Sequence, residues 1–218
     1  MQVANVSDKR GLTVGLTGGM ACGKTTVARL WGAMGARVID SDATVHRLLR
    51  EDDDVRREVR EAFGDDVFRA DGAIDRPALG RVVFGDEKAR QTLMGILHPK
   101  TLAIHRAEAE EHITAHPTGV AVIDSPLLFE SGLDADMDVT VTVAAPEQTR
   151  IRRALTRAQA RGSLVDEHEL RRRNAMQMPL DEKRARADFV IENDASMDDL
   201  QERSMAVWLA LARLVEST

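Results

Sequence analysis

Gly18-Gly19-Met20-Ala21-Cys22-Gly23-Lys24-Thr25 is the stretch of this 218-residue sequence that decides its fold. It has the spacing G-x-x-x-x-G-K-[ST] of loops that bind phosphate groups between a buried strand and a helix. The preceding run, Leu12–Thr17, is short, mostly apolar and rich in strand formers. The residues that follow carry apolar side chains at helical spacing up to Gly35. The order strand, glycine loop, helix therefore predicts a phosphate site at the head of the first helix.

Four further short apolar runs have the composition of strands, and helical patterns separate them. They are Arg37–Ile39, Gly119–Ile123, Asp138–Val143 and Phe189–Ile191. Strands that alternate with helices pair in parallel through right-handed crossovers. We therefore predict an α/β fold of the P-loop NTPase type, with a five-stranded parallel sheet flanked by helices.

Two segments are too long for simple connections between strands. Between residues 43 and 118 we find no convincing strand, only helical patterns interrupted at Gly72, Pro77, Gly85 and Pro99. We predict a helical substrate-binding insertion over residues 51–117. The Arg-rich residues 148–177, whose only glycine is Gly162, are predicted to form a lid of two helices. The nucleotide-binding core then comprises residues 11–50, 118–147 and 178–218.

Composition narrows the class of protein. Hydrophobic residues make up 43% of the sequence and charged residues 30%, which is typical of folded globular proteins. The longest apolar runs are far shorter than the roughly 20 residues that span a bilayer. The first ten residues lack the apolar core of a secretory signal. We expect a cytoplasmic protein that does not bind membranes.

Charge is distributed unevenly along the chain. The formal net charge is -6 at pH 7, yet residues 150–186 hold eleven Lys and Arg against five Asp and Glu. A run of charges is usually a solvated helix face. Because this basic segment accompanies a phosphate loop, we interpret it as a phosphate-binding element.

The glycine loop assigns a first set of residues to nucleotide binding. Its backbone N–H groups and the following helix N-terminus would surround the phosphates, Lys24 would reach the β- and γ-phosphates, and the Thr25 hydroxyl would hold Mg²⁺. The nucleotide-binding residues predicted here are Gly18, Gly19, Met20, Ala21, Cys22, Gly23, Lys24, Thr25 and Thr26. Cys22, the only cysteine, is either a redox-sensitive thiol or simply a small side chain.

Three acidic residues follow predicted strands at the sheet edge where α/β proteins bind ligands. Asp40 and Asp42 come directly after the second strand, and one of them could accept a proton while the other holds the metal. Alternatively, one of the pair caps the next helix. Asp124, which ends the third strand, either resembles a metal-holding Walker B residue or forms a turn before Pro126.

Several motifs in a fixed order resemble the dephospho-CoA kinase family. They extend from about Leu12 to Leu214 and include Leu16–Thr25, Val38–Asp42, Leu97-His98-Pro99, Pro126–Glu130, Gln177–Leu180 and Ala187–Asn193. The resemblance implies transfer of the ATP γ-phosphate to the ribose 3'-hydroxyl of dephospho-CoA, giving CoA and ADP in the last step of coenzyme A biosynthesis. ATP and Mg²⁺ are the implied cofactors, dephospho-CoA is the implied acceptor, and nucleic acid is not an expected partner. We expect a monomer or a weak homo-oligomer.

The resemblance also implies roles for particular residues. Asp42 would act on the 3'-hydroxyl, with Asp40 as the second candidate for that role and as a metal ligand beside Thr25. Thr17 would lie near the transferred group, and Arg153 would neutralise its charge. The remaining implied contacts are with nucleotide at Arg157 and Asn193, and with acceptor at Arg76, Phe84, His98, Pro99, Pro126 and Leu127.

His98 has two interpretations. A single histidine can act as an acid or a base, but its place before Pro99 favours a role in shaping a junction between two helices and in lining the acceptor cleft. We therefore expect His98 to bind substrate without taking part in catalysis.

Three other functions remain as alternatives. A nucleoside or nucleotide monophosphate kinase would share the loop and the lid arginines. A GTP-dependent switch would need the guanine-reading Asn-Lys-x-Asp motif, which the sequence lacks. A nucleic-acid-binding ATPase is disfavoured by the absence of Tyr and by an aromatic content of 3%, because stacking platforms are then few.

Overall fold

The fold is built on a five-stranded parallel sheet, which confirms the predicted α/β class. The computed structural model describes residues 11–160, 162, 165–175 and 177–216. The strands are β1 (Leu12–Gly18), β2 (Arg37–Asp40), β3 (Val120–Asp124), β4 (Val139–Ala144) and β5 (Phe189–Glu192). Their spatial order is β2-β3-β1-β4-β5, so β1 lies at the centre.

The register of the central strands determines where the glycine loop begins. Leu16 on β1 lies opposite Asp124 on β3, and Gly18 lies opposite Val143 on β4. Every residue of β3 and β4 is buried, as expected for parallel strands covered on both faces. The carboxyl ends of β1, β3 and β4 therefore meet at one edge, directly below the loop.

Nine α-helices lie within the described residues. They are α1 (Lys24–Ala33), α2 (Ser41–Glu51), α3 (Asp53–Phe63), α4 (Arg76–Gly85), α5 (Glu87–Ala115), α6 (Glu147–Ala160), α7 (Glu167–Ala175), α8 (Leu180–Arg186) and α9 (Met197–Glu216). The chain divides into two compact units, one made of the residues up to Ile39 and from Glu108 onward, the other of Asp40–Ala107. No helix in the described part of the chain is long and apolar enough to cross a membrane.

The core of the first unit is formed by the sheet, α1 and α9. Trp31 on α1 is fully buried, and its ring centroid lies 6.0 Å from that of Trp208 on α9. The Trp31 indole N–H donates to the Ser204 carbonyl at 3.2 Å, so burying the ring leaves no donor unpaired. This packing positions α1, and with it the end of the glycine loop.

The start of α9 carries the cap that Ser196 and Asp199, three positions apart in the sequence, predict. The Ser196 hydroxyl accepts the Asp199 N–H at 3.1 Å, and the Asp199 carboxylate accepts the Ser196 N–H at 2.9 Å. This is a capping box with Asp in the usual position of Glu. The connection from β5 therefore ends at Ser196, two residues after Asp194.

The second unit has its own apolar cluster of α2, α3, α4 and part of α5, including Leu48, Val55 and Leu97. Asp52 caps α3 by accepting the Val55 N–H at 2.9 Å and also accepts from Lys100 on α5 at 2.6 Å. The Lys100 ammonium, followed by the cap hydrogen bond, lowers the pKa of Asp52. A polar junction thus supports the apolar cluster.

The predicted interruption at Pro99 is wrong, and so is the junction at which we placed His98. Pro99 lies inside α5, which continues through it. Proline removes one backbone donor and strains a helix interior, but tertiary packing compensates, because Leu97 and Thr101 on either side are buried. Pro77 and Gly85 do coincide with the two ends of α4.

A small difference from prediction concerns residues 43–118, where we expected no strand. Phe68 and Ile74 form an isolated antiparallel bridge.

The Arg-rich segment contains two helices, α6 and α7, as predicted. Of residues 161–166 between these helices, the structure describes Gly162, Val165 and Asp166, and Gly162 has a φ of 67°.

Candidate active site

The glycine loop links β1 to α1 and leaves the helix N-terminus open to a ligand. Gly23 is the N-cap of α1, with φ of 105°, and no side chain caps the helix. The Thr26 N–H is bonded within the turn to the Gly23 carbonyl at 2.8 Å. A helix N-terminus without a side-chain cap presents N–H groups and the positive end of the helix dipole, and both favour an anion.

Two loop glycines are required by close backbone approach as well as by their dihedral angles. A Cβ on Gly18, whose φ is +157°, would collide with the Val143 carbonyl of β4. A Cβ on Gly23 would collide with the side-chain amide of Asn193. Ala21, with φ of 57°, is the one non-glycine residue with positive φ among the described residues. The loop is therefore held tightly against the ends of β4 and β5.

Lys24 and Asp124 form an ion pair at the centre of the site. Asp124 is the last residue of β3 and is 7% exposed, and Lys24 is the first residue of α1. The sequence left Asp124 open between a metal-holding residue and a turn former. Its side chain faces the loop lysine. A carboxylate at this position can act on the phosphates that the loop binds or on their metal.

Asn193 ties the end of β5 to the glycine loop. Its side-chain N–H donates to the Cys22 carbonyl at 2.7 Å, and its backbone N–H donates to the Ala144 carbonyl at 2.7 Å. The Asn193 side-chain oxygen accepts from Arg153 of α6 at 3.2 Å. Three elements therefore meet at this buried amide, which brings the predicted residue Arg153 beside the loop.

The carbonyl of Pro126 collects donors from two elements just beyond β3. The Lys183 ammonium of α8 donates to it at 2.6 Å, and the Thr17 hydroxyl of β1 lies 3.4 Å from it. Lys183 is fully buried and pairs with Glu130 at 2.8 Å, and Glu130 also accepts the Met178 N–H at 2.8 Å. This network holds the loop after β3, where the predicted residue Leu127 is exposed.

Cys22 is a packed thiol. It is 1% exposed, and burial raises its pKa, while backbone N–H groups and the charges of Lys24 and Arg150 oppose that rise. Reactive cysteines have a lowered pKa and an exposed sulfur. Of the two interpretations drawn from sequence, the structure favours the small, unreactive side chain.

The remaining predicted nucleotide contacts of the first unit differ in exposure. The side chains of Thr25 on α1 and Arg157 on α6 are exposed, and those of Met20 and Thr26 are partly buried. Thr25 directly follows Lys24 in α1. Arg157 lies one helical turn beyond Arg153 on the same helix.

Asp40 and Asp42 lie at the start of the second unit. Asp40 caps α2, because its side chain accepts the Ala43 N–H at 3.0 Å. Asp42 lies in the first turn of α2 and is exposed. The structure therefore agrees with the capping alternative, with Asp40 as the cap; both carboxylates are exposed, and that of Asp42 does not cap α2.

The predicted acceptor-binding residues of the second unit are distributed over α4 and α5. Arg76 contacts His46 of α2, and Phe84 near the end of α4 is 68% exposed. His98 is partly buried and Pro99 exposed, both within α5. A single exposed apolar side chain is common on protein surfaces, so the exposure of Phe84 does not by itself mark a binding site.

These features define a class of protein. A glycine loop between the central strand of a parallel sheet and an uncapped helix, with a lysine facing the acid of the neighbouring strand, is the nucleotide site of P-loop kinases. A model of the dephospho-CoA kinase family matches residues 12–199. The chain belongs to the dephospho-CoA kinase family, which confirms the resemblance found in the sequence.

Individual relatives agree with this assignment. The chain is 42% identical to a dephospho-CoA kinase of Anaeromyxobacter dehalogenans over 86% of each chain. It is 37% identical to that of Geobacillus kaustophilus, over 93% of this chain and 99% of the relative. A crystal structure from Thermus thermophilus, 34% identical, superposes with a TM-score of 0.76 over 92% of this chain and 97% of the other.

Three residues of the site were not predicted from sequence. Arg150 lies against the loop, three positions before Arg153, and this helical spacing was a signal that could have identified it. Glu130 lies in a motif that carried the resemblance, but without an assigned role. Lys183 stands in a charged run, and nothing in that run shows that its ammonium is buried.

Proposed function

We propose that this protein transfers the γ-phosphate of ATP to the ribose 3'-hydroxyl of dephospho-CoA, giving CoA and ADP in the last step of coenzyme A biosynthesis. One observation carries the proposal: the Lys24–Asp124 pair lies at the open N-terminus of α1 in a chain of the dephospho-CoA kinase family. Its family identifies the chain as an ATP-dependent kinase.

The donor side of the proposed reaction is built by the glycine loop. Backbone N–H groups of the glycine loop other than those bonded within its turns bind the β- and γ-phosphates, and the Lys24 ammonium moves from Asp124 to the phosphate oxygens. Arg153 neutralises charge on the transferred group, and Arg157 and Asn193 complete the nucleotide contacts. Electrostatic stabilisation of this kind is the main contribution in phosphoryl transfer, because the protein performs little covalent chemistry.

Magnesium fits the oxygen ligands present. The exposed Thr25 hydroxyl and the Asp124 carboxylate are hard oxygen donors of the type that Mg²⁺ prefers, and Asp40 is the further candidate ligand from sequence. When bound, Mg²⁺ neutralises the negative charge of the β- and γ-phosphate oxygens. The ion pair with Lys24 places the Asp124 carboxylate at the head of α1, where the metal is proposed to bind.

The acceptor side is assigned to Asp42 and the second unit. Asp42 orients the 3'-hydroxyl and accepts its proton, a role supported by its exposure and by the capping function of Asp40. The Thr17 hydroxyl lies near the transferred group. Arg76, Phe84, His98, Pro99, Pro126 and Leu127 contact the acceptor in this proposal.

The proposed division of the chain follows these roles. Residues 11–50, 118–147 and 178–218 form the nucleotide-binding core, residues 51–117 bind the acceptor, and residues 148–177 close over the donor. We propose a cytoplasmic monomer or weak homo-oligomer.

An acceptor panel tests the proposal. Purified protein with Mg-ATP is assayed for ADP release with dephospho-CoA, AMP, CMP, UMP and nucleosides, and the product is identified by mass. We expect dephospho-CoA to give a kcat/KM at least about 100-fold above that of any mononucleotide, since one well-formed set of contacts is worth several kcal/mol. Equal or better turnover of a mononucleotide would replace this function with that of a nucleotide kinase.

A further inference from the structure

Arg150 is a buried cation on α6. The residue is 5% exposed although its guanidinium carries a permanent charge. Its Nε donates to the Ala145 carbonyl at 3.1 Å, and its Nη1 donates to the side-chain oxygen of Asn174 on α7 at 2.5 Å. Both partners are neutral, so the dipoles of a carbonyl and an amide stabilise this charge.

The lack of an anion distinguishes Arg150 from the other buried cations of the site. Lys24 faces Asp124, and Lys183 faces Glu130. Across the described residues, no carboxylate lies within salt-bridge distance of the Arg150 guanidinium. Burying a charge without a counter-charge is unfavourable, which indicates that the counter-charge comes from outside the chain.

The guanidinium lies directly against the glycine loop. A Cβ on Gly19 would lie 2.8 Å from Arg150 Nη1 and 3.2 Å from Cζ, so the guanidinium lies in close contact with the loop backbone at Gly19. The charge of Arg150 also acts on the Cys22 thiol within the loop, where it opposes the rise in pKa caused by burial. The buried cation therefore borders the place where the loop holds anions.

We propose that Arg150 binds the phosphate groups of the nucleotide in the glycine loop, and that Asn174 positions its guanidinium. Arginine suits this task, because its planar set of donors can keep the bonds to Ala145 and Asn174 and still present N–H groups to phosphate oxygens. Arg150 is thus a second arginine that contacts the nucleotide. The first is Arg153, which is bonded to Asn193. The proposal rests on the proposed nucleotide site but not on the identity of the acceptor.

Calorimetric titration of the full chain with ADP and with inorganic pyrophosphate tests this role. Arg150→Gln should weaken both ligands by about 10- to 100-fold, the range for loss of a hydrogen bond to a charged group. Arg152→Gln is the matched control, because Arg152 lies on the same helix, carries the same charge and is exposed. It should change either affinity by less than about 2-fold, as expected for an exposed charge. Asn174→Ala should give an intermediate loss.

A second measurement separates binding from a structural role. Saturating pyrophosphate should raise the Tm of the wild-type protein but raise that of Arg150→Gln by much less. If Arg150 only supports the fold, the variant will have a lower Tm without ligand and an undiminished rise with pyrophosphate. That result, or unchanged affinity of Arg150→Gln, overturns the proposal.

The wild-type chain decides the question if Arg150→Gln does not fold. The ¹⁵N resonance of Arg150 Nε, assigned with Arg150→Lys, should shift on addition of pyrophosphate, and an unshifted resonance at saturation overturns the proposal. Failure of the proposed function has a different signature, in which the wild-type protein binds ADP through Arg150 but does not phosphorylate dephospho-CoA.

Discussion

The ammonium of Lys24 and the carboxylate of Asp124 are bonded to each other across the carboxyl ends of β1 and β3. Both groups are largely buried, with side-chain exposures of 17% and 10%. In this arrangement each residue neutralises the other where nucleotide phosphates and their metal are proposed to bind. Nucleotide binding then exchanges one set of charge partners for another and leaves no group uncompensated.

Replacing Lys24 tests this exchange. Lys24→Ala should lower kcat/KM for phosphoryl transfer by at least about 10³-fold, because it removes a charge aimed at the transferred phosphate. It should also lower the free energy of unfolding by about 1–3 kcal/mol, since the ammonium facing Asp124 is lost. Steady-state kinetics and urea denaturation measure the two effects. Lys88→Ala, at an exposed position of α5, serves as control, and equal activity of the two variants would remove the loop lysine from the mechanism.

Asp42 and Asp40 can be separated by substitutions that keep the cap. Asp42→Asn should lower kcat far more than it raises the KM for ATP, because Asp42 acts on the acceptor hydroxyl. Asp40→Asn preserves capping of α2, since Asn is as good an N-cap as Asp, whereas Asp40→Ala should cost about 1 kcal/mol of stability. Kinetics at saturating ATP, with thermal denaturation alongside, give the comparison. A larger loss of kcat for Asp40→Asn than for Asp42→Asn would reverse the assigned roles.

Asn193 is predicted to set the position of the loop. Asn193→Asp replaces the donor that faces the Cys22 carbonyl with an acceptor. We expect the KM for ATP to rise at least about 10-fold and stability to fall by about 1–3 kcal/mol, the usual effect of an unpaired buried polar group. Asp194→Asn, which alters an exposed pair with Arg203, should change stability by less than about 1 kcal/mol. Similar values for both variants would contradict a positioning role for Asn193.

Ala21 offers a test of strain in the loop. Its left-handed backbone, with φ of 57°, costs a residue with a Cβ about 1–2 kcal/mol more than it costs glycine. Ala21→Gly should therefore raise the free energy of unfolding by about 0.5–1 kcal/mol, after the added entropy of the unfolded chain is counted. Ala206→Gly in the middle of α9 should lower it by about 1 kcal/mol. Urea denaturation of both variants measures the contrast, and a destabilised Ala21→Gly would show that the loop is not strained at this position.

Cys22 should behave as an inert thiol. Because burial raises its pKa, the thiolate fraction at pH 8 is smaller in the folded chain than in the unfolded one, and alkylation by iodoacetamide should be at least about 10-fold slower. The same raised pKa means that the unfolded chain loses its proton first as pH rises. Its contribution to stability is therefore complete below the unfolded pKa and declines above it. Mass spectrometry with and without denaturant follows the reaction, and rapid alkylation of the folded protein would restore the redox interpretation.

Local patterns were enough to predict most of the architecture. The strand–loop–helix unit from Leu12 to Ala33 follows from a buried apolar run, a glycine spacing and a helical periodicity, all of which are short-range. The start of α9 follows from Ser196 and Asp199 for the same reason. Pro99 shows the limit of such reasoning, since its local preference to end a helix was overridden by burial of Leu97 and Thr101.

The contacts between strands could not be read from local patterns. Asp124 and Lys24 are 100 residues apart, and Asn193 and Cys22 are 171 apart. The motif Pro126–Glu130 is visible in the sequence. Its hydrogen bonds with Lys183 and Met178 depend on the packing of α8 and the residues just before it. Arg150 looked like one more charge of a basic helix, although it is buried beside Gly19.

The sequence by itself determined that a phosphate site lies at the head of α1, that the sheet is parallel, and that the chain resembles the dephospho-CoA kinase family. Those properties follow from the spacing of neighbouring residues. Only the tertiary structure decided which charges face one another there: Lys24 with Asp124, Lys183 with Glu130, and Arg150 with no carboxylate among the described residues. The physical reason is that pairing of buried charges depends on strand order and helix packing, which join residues that the chain keeps far apart.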